Sequence, residues 1–337
     1  MKHLFRPRDG LLLPVGLRGH TAVMHPTKPG TILVYGGCVQ SDQLAGNDVF
    51  TCDLATKTFS QVNIDPTNQA TDWPRALCSQ AVVTLEDNKL LTVGGSGYDD
   101  TYSMEIHQLD LGQQNQLASW SCLYRPPGQA GEPLPRAGHK LAVWQDKLFL
   151  LGGEDNTNVF GVKDVPTFSL TENMWDTVTT VADGTHGFPP PRAAHSLVQR
   201  GEHVLILGGL GEDEDGGEKV LGDAWRLSLV TFEWSRLDDL PAPVCLHGTT
   251  VMEHHPVTKE GKVVVFGGLD EYEEPTNAVY TAWLEIPSLR TMAWEAICEE
   301  NGAGMAAMSA DELLKKGVPV DLVEMLGASR TKWKGGE

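Results

Sequence analysis

No stretch of this chain approaches 18 consecutive apolar residues, so no helix written in it is long and oily enough to cross a bilayer. The N-terminal apolar segment, Leu11–Leu17, is short, follows Asp9 and lacks a small-residue cleavage site, which argues against a secretion signal. Basic charge is scarce: 26 Lys+Arg stand against 45 Asp+Glu, a formal net charge of −19 over 337 residues. A chain of that sign repels phosphate backbones and anionic lipid, which excludes nucleic acid and membrane as partners. The 6 cysteines form no Cys-x-x-Cys pair and there is no Asn-x-Ser/Thr sequon, as expected in a reducing compartment, the cytoplasm or equally the nucleus. Gly-x-Ser-x-Gly, P-loop and His-Glu-x-x-His motifs are all missing, so nucleophilic, phosphoryl and zinc-hydrolytic chemistry have no support. No catalytic residue, metal site or cofactor is expected.

What the chain does have is turns and a repeat. Its 36 Gly and 20 Pro suit many short strands better than long helices. A Gly-Gly pair closes an apolar run five times: Thr31–Gly37, Lys89–Gly95, Lys147–Gly153, His203–Gly209 and Lys262–Gly268. The first glycines, at 36, 94, 152, 208 and 267, are spaced by 58, 58, 56 and 59 residues. Upstream of each pair lies a turn-rich segment holding Arg18, Arg75, Arg136 and Arg192, with His20, His139, His195 and His247 at one repeat position. Downstream comes an aromatic residue: Phe59, Trp120, Trp175, Trp234 and Trp294.

Within each unit the apolar runs have strand length and are separated by turn formers such as Glu86-Asp87-Asn88 and Arg200-Gly201-Glu202. The third unit illustrates the expected four strands: A at Lys140–Trp144, B at Lys147–Leu151, C at Val165–Leu170 and D beginning at Trp175. A four-stranded meander has two apolar faces and two open edges, so such units must pack against one another.

Di-glycine ending strand B, an aromatic opening strand D and a period above 50 residues together resemble kelch repeats, the units of kelch β-propellers. The resemblance covers Arg18 to about Ile297 and implies an all-β propeller of five four-stranded antiparallel blades. Kelch rings more often carry six or seven blades, which makes six the alternative count. The expected organisation is an N-terminal strand or tail over 1–17 that could close the ring, a propeller over 18–298, and a helical appendage over 299–337. In that appendage Ser309–Glu312 fits a helical capping box, and a second helical turn follows at Asp321–Leu326. Leu314, Leu322, Val323 and Leu326 are its expected packing residues.

The repeated Trp residues and di-glycines read as packing devices, and the histidines as buried groups serving neighbouring strands, since one per blade is too dispersed for one metal ion. Arg18, Arg75, Arg136 and Arg192 precede what the kelch resemblance makes the innermost strand, where they could contribute to a binding face. Two loops after Gly-Gly are strongly acidic: Glu212, Asp213, Glu214, Asp215 and Glu218 in one, Asp270, Glu271, Glu273 and Glu274 in the other. In a kelch blade these loops would emerge on one surface, and their charge points to a basic protein partner. The kelch family includes a copper oxidase, a sialic acid mutarotase and iron proteins of glucosinolate breakdown, but the Glu-x-x-x-Asp-x-x-x-His spacing of the last is absent. The expected function is therefore an intracellular, monomeric interaction module. The alternative is a sugar-acid enzyme of mutarotase type using Arg and His at the channel mouth.

Overall fold

The computed structural model describes residues 17–38, 46–67, 69–97, 99–112, 116–128, 131–213, 215–253, 261–284 and 308–315. Five sheets follow one another along the chain, one per Gly-Gly pair, each a meander in sequence order. The first contains β1 (Thr21–Met24), β2 (Thr31–Tyr35), β3 (Val49–Asp53) and β4 (Thr58–Gln61). A short helix, α1 (Gln69–Asp72), leads to β5 (Ala81–Leu85), β6 (Lys89–Val93), β7 (Ile106–Asp110) and β8 (Ser119–Tyr124). The third sheet comprises β9 (Lys140–Trp144), β10 (Lys147–Leu151), β11 (Asp164–Ser169) and β12 (Met174–Thr179). The fourth comprises β13 (Ser196–Arg200), β14 (His203–Glu212), β15 (Glu218–Ser228) and β16 (Trp234–Arg236). The fifth has three described strands, β17 (Gly248–Glu253), β18 (Gly261–Phe266) and β19 (Val279–Trp283). This is the all-β, five-bladed propeller architecture the repeat implies. Trp294, expected to open the last blade's fourth strand, lies outside the described residues, as do residues 1–16. No described helix is long and apolar enough to cross a membrane.

The chain divides into two compact units, one of Met1–Gly248 with Gly267–Ala278, the other of Thr249–Phe266 with Val279–Glu337. In the first unit β1, β5, β9 and β13 contact one another in succession and form the inner layer. Strand β10 reads as an unbroken apolar run because both faces of its sheet are covered. Leu148 and Leu150 pack with Leu91, Val93 and Ile106 of the second sheet, whereas Phe149 and Leu151 pack with Val204, Ile206 and Trp225 of the fourth. Burying each such side chain contributes about 1.5–3 kcal/mol.

The di-glycines let one blade lean on the next. Gly94 and Gly95 have φ of 65° and 104°. A Cβ on Gly94 would stand 2.6 Å from His139 Cε1 and 2.8 Å from the Arg136 carbonyl oxygen, while one on Gly95 would meet Gln80 of its own blade at 2.5 Å. The bare backbone instead donates from Gly95 N to Arg136 O at 2.9 Å, and Gly153 N repeats this with Arg192 O, Gly209 N with Val244 O. A second backbone chain runs through the inner turns: Ser79 N to Gly19 O, Gly138 N to Ser79 O, Ala194 N to Gly138 O and Leu246 N to Ala194 O, at 2.7–3.0 Å. All five residues on it sit in the left-handed region, with φ between 51° and 66°.

The second unit holds α2 (Ala310–Lys315), whose capping box forms as expected: Ser309 N donates to Glu312 Oε2 at 2.7 Å and Glu312 N to Ser309 Oγ at 3.3 Å. Its packing face differs from expectation. Leu313 is buried, and Leu314, the expected packing residue, is exposed. Leu322, Val323 and Leu326 lie outside the described residues.

Candidate functional site

The four arginines do not share one structural position. Backbone bridges pair Arg18 with Cys38, Cys78 with Ser96, Ala137 with Glu154, Ala193 with Leu210 and Cys245 with Leu269. Arg18 is therefore equivalent to Cys78 and Ala137, and the place of Arg136 and Arg192 is taken by Leu77 and Val244 in other blades. Arg75 lies two residues earlier still. By the same register Gln80 stands in the second blade where His20, His139, His195 and His247 stand elsewhere.

Arg136 and Arg192 are structural members of their blades. Arg192 is fully buried and forks onto Asp223, Nη1 to Oδ1 at 2.9 Å and Nη2 to Oδ2 at 2.7 Å, while also donating to the carbonyls of Gly208 and Pro190. Burial pushes the Asp223 carboxyl up, but the bonds and charge of Arg192 and the Trp225 indole hold it below its ordinary value. Arg136 donates to Leu134 O and Gly152 O, and its guanidinium lies 3.6 Å above the Phe160 ring. Burial depresses its pKa to about 10. Arg18 and Arg75 are exposed, and Arg18 Nε donates to Cys38 Sγ at 3.3 Å. His139, His195 and His247 are buried, which holds them neutral, with His139 lowered to about 3 and His247 to about 4.

The acidic loops have an internal logic. Asp213 Oδ1 accepts from Asp215 N at 2.9 Å and Gly217 N at 2.7 Å, and Asp270 Oδ1 accepts from Tyr272 N at 2.9 Å and Glu274 N at 3.0 Å. Asp155 folds the third blade's loop in the same way through Thr157 N and Asn158 N. These aspartates spend one oxygen on shaping the turn. Glu212, Asp215, Glu271, Glu273 and Glu274 are exposed, and Glu214 lies outside the described residues.

Glu218 of the first acidic loop and Glu154, an acid not singled out from the sequence, join them. The Cys245 thiol is pushed up first by burial and then by the charges of Glu218, Glu273 and Glu154, so the negative fields of three successive blades overlap at one inner turn. Glu154 is itself raised, by burial and by Glu218. Glu154, Glu218 and Glu273 make no ion pair among the described residues. The signal for Glu154 is its place directly after Gly153, at the root of the loop. Next to Glu218 opens a cleft of about 460 Å³, with Phe188, Leu221, Trp225 and Leu240 in its walls and Lys219 and Arg236 at its rim. Arg236 is bound to Asp239 at 2.8 Å.

Comparison with known proteins agrees with the repeat fold. A family model described as the KLHDC2/KLHL20/DRC7 Kelch-repeats domain matches residues 19–257. Kelch domain-containing protein 10 of Rattus norvegicus is 29% identical over 322 residues, covering 94% of this chain and 72% of that protein. The Homo sapiens protein of the same name is 29% identical over 322 residues, covering 94% and 67%. Acyl-CoA-binding domain-containing protein 4 of Arabidopsis thaliana is 26% identical over 279 residues, 80% of this chain but 37% of its own length.

Proposed function

The chain belongs to the KLHDC2/KLHL20/DRC7 kelch-repeats family, and from that premise we propose that it is a protein-interaction module taking a basic partner on the loop face of Glu154, Glu218 and Glu273. The observation that carries this reading is that carboxylates of three successive blades all act on Cys245 and none of them makes an ion pair among the described residues. Like charges held together by the fold raise the local negative potential, and a partner's Arg or Lys side chains relieve it. The neighbouring cleft would take an apolar side chain of the same partner, giving a buried anchor beside a charged rim. The sugar-acid alternative needs free cations at that mouth, and the donors of Arg136 and Arg192 are directed to carbonyls and to Asp223.

An arginine-rich fluorescent peptide tests the proposal, with a glutamate-rich peptide as control. Association measured by stopped flow should slow about tenfold or more between low and physiological salt, because exposed charges are screened beyond ~8–10 Å. The combined change Glu154→Gln, Glu218→Gln and Glu273→Gln should remove most of that salt dependence, while Arg75→Ala leaves it intact. Binding that ignores both salt and the triple change would refute the acidic-face reading.

A further inference from the structure

One cation of the inner layer has no counter-charge among the described residues. Lys140 opens β9, and its equivalents in the other blades are Thr21, Ala81, Ser196 and Gly248, all small or hydroxyl-bearing or both. Thr21 Oγ1 donates to Gln80 O at 2.8 Å and Ser196 Oγ shares a hydrogen bond of 2.7 Å with His247 Nε2, so those positions are internally satisfied. The Lys140 ammonium makes no hydrogen bond or ion pair among the described residues. It keeps part of its surface accessible, yet the protein is dense enough around the ammonium that desolvation alone lowers its pKa.

The ring of His195 reaches the same place from the next blade. Lys140 pairs with Leu151 across the β9–β10 hairpin, and Gly152 follows. A Cβ on Gly152 would lie 3.0 Å from His195 Cε1, which sets the imidazole against this end of the hairpin. His195 is 1% exposed, and neither of its ring nitrogens has a partner among the described residues. A neutral imidazole still carries one N–H, and leaving it unsatisfied in a buried site forfeits the hydrogen bond it made to water. The other groups that act on His195 are Arg192, itself paired with Asp223, and the buried His139 and His247. In a chain of net charge −19, an unpaired, desolvated ammonium on the strand whose hairpin end the orphaned imidazole covers makes a site shaped for a negative ligand.

We propose that Lys140 and His195 hold a small monovalent anion of chloride or formate size, drawn from solution, at the inner junction of the third and fourth blades. The ammonium supplies charge and up to three donors, and the imidazole N–H supplies direction. A bound anion satisfies both groups at once and stabilises the folded state in proportion to the logarithm of its concentration above Kd.

The test is thermal unfolding of the intact chain at constant ionic strength, with chloride exchanged for glutamate so that general screening of the acidic surface stays fixed. Tm should rise by about 2–4 °C for each tenfold increase in chloride once the site begins to fill. Bromide and formate should act like chloride, and sulfate should not. Lys140→Met should unfold at a Tm independent of chloride and no lower than that of the wild type without chloride, since an apolar side chain replaces an uncompensated charge. Excess ³⁵Cl line broadening, displaced by bromide, supplies a readout on the wild-type protein should that variant fail to fold. A flat chloride series, an unchanged one in Lys140→Met, or absence of excess broadening would each overturn the proposal.

Discussion

Arg192 and Arg75 occupy the same place in the written repeat, Pro-Arg-Ala, and have opposite physical situations. The first is sealed in the blade with its guanidinium forked on Asp223, and the second is on the surface. Removing one member of a buried pair leaves the other uncompensated, so Arg192→Ala should destabilise by about 3–5 kcal/mol in a urea titration. Arg75→Ala should fall within about 0.5 kcal/mol of the wild type. A second residue to watch is Glu105. Its contact with His107 at 2.9 Å and, opposed by burial, its bond with Arg125 at 2.7 Å hold its carboxyl down to about 2. Both partners also reach the end of α1, His107 to Asp72 O and Arg125 to Thr71 O. A carboxyl depressed in the folded state adds stability above its unfolded value of 4.5, and loses it as the pH falls toward 2. Glu105→Gln should therefore flatten the Tm–pH curve across that window and lower Tm at neutral pH.

At the scale of the element, the strand B terminus carries the most demanding backbone in each blade. Gly94→Ala would place a methyl group against a carbonyl oxygen and an imidazole of the next blade, in a left-handed conformation that disfavours alanine. Gly201, in the β13–β14 hairpin turn, has a similar φ of 56°, but a Cβ there would meet nothing within 4 Å. Gly201→Ala should cost about 1 kcal/mol from backbone conformation alone, and Gly94→Ala several-fold more in the same denaturant titration. Equal costs would mean that the neighbouring blade yields freely. Leu246 shows the opposite tolerance: a large, exposed residue at φ 55°, where the other inner turns carry Gly, Ser or Ala. Its N–H completes the backbone chain to Ala194, which supplies the bond that holds it there.

For the whole molecule the governing quantity is charge. A formal −19 concentrates self-repulsion in the compact state, and the Debye length shrinks from roughly 30 Å at 0.01 M salt to roughly 8 Å at 0.15 M. Tm should accordingly rise with ionic strength over that range, whichever monovalent anion is used, and the gain should be smaller after Glu154, Glu218 and Glu273 are neutralised together. This screening effect is separate from the anion-specific one at Lys140, because it survives when chloride is replaced at fixed ionic strength.

Blade number, strand order and the role of the di-glycines were legible in the bare sequence because each is a local matter repeated at a nearly constant period: an apolar run of strand length, a turn where no Cβ fits, an aromatic opening the outer strand. The Ser309–Glu312 capping box was readable for the same reason. What repetition concealed was register. Gln80 replaces histidine and Arg75 stands two residues too early, differences invisible until the bridges Cys78–Ser96 and Ala137–Glu154 align the blades. Burial was hidden too, since whether an arginine faces Asp223 or water depends on a side chain 31 residues away. Only the tertiary structure brought Glu154, Glu218 and Glu273 from three blades around one turn, and set the His195 ring of one blade over the hairpin that begins with Lys140 of another. Such sites arise between repeats, where packing of one sheet on the next decides the neighbours and no pattern within a single repeat records them.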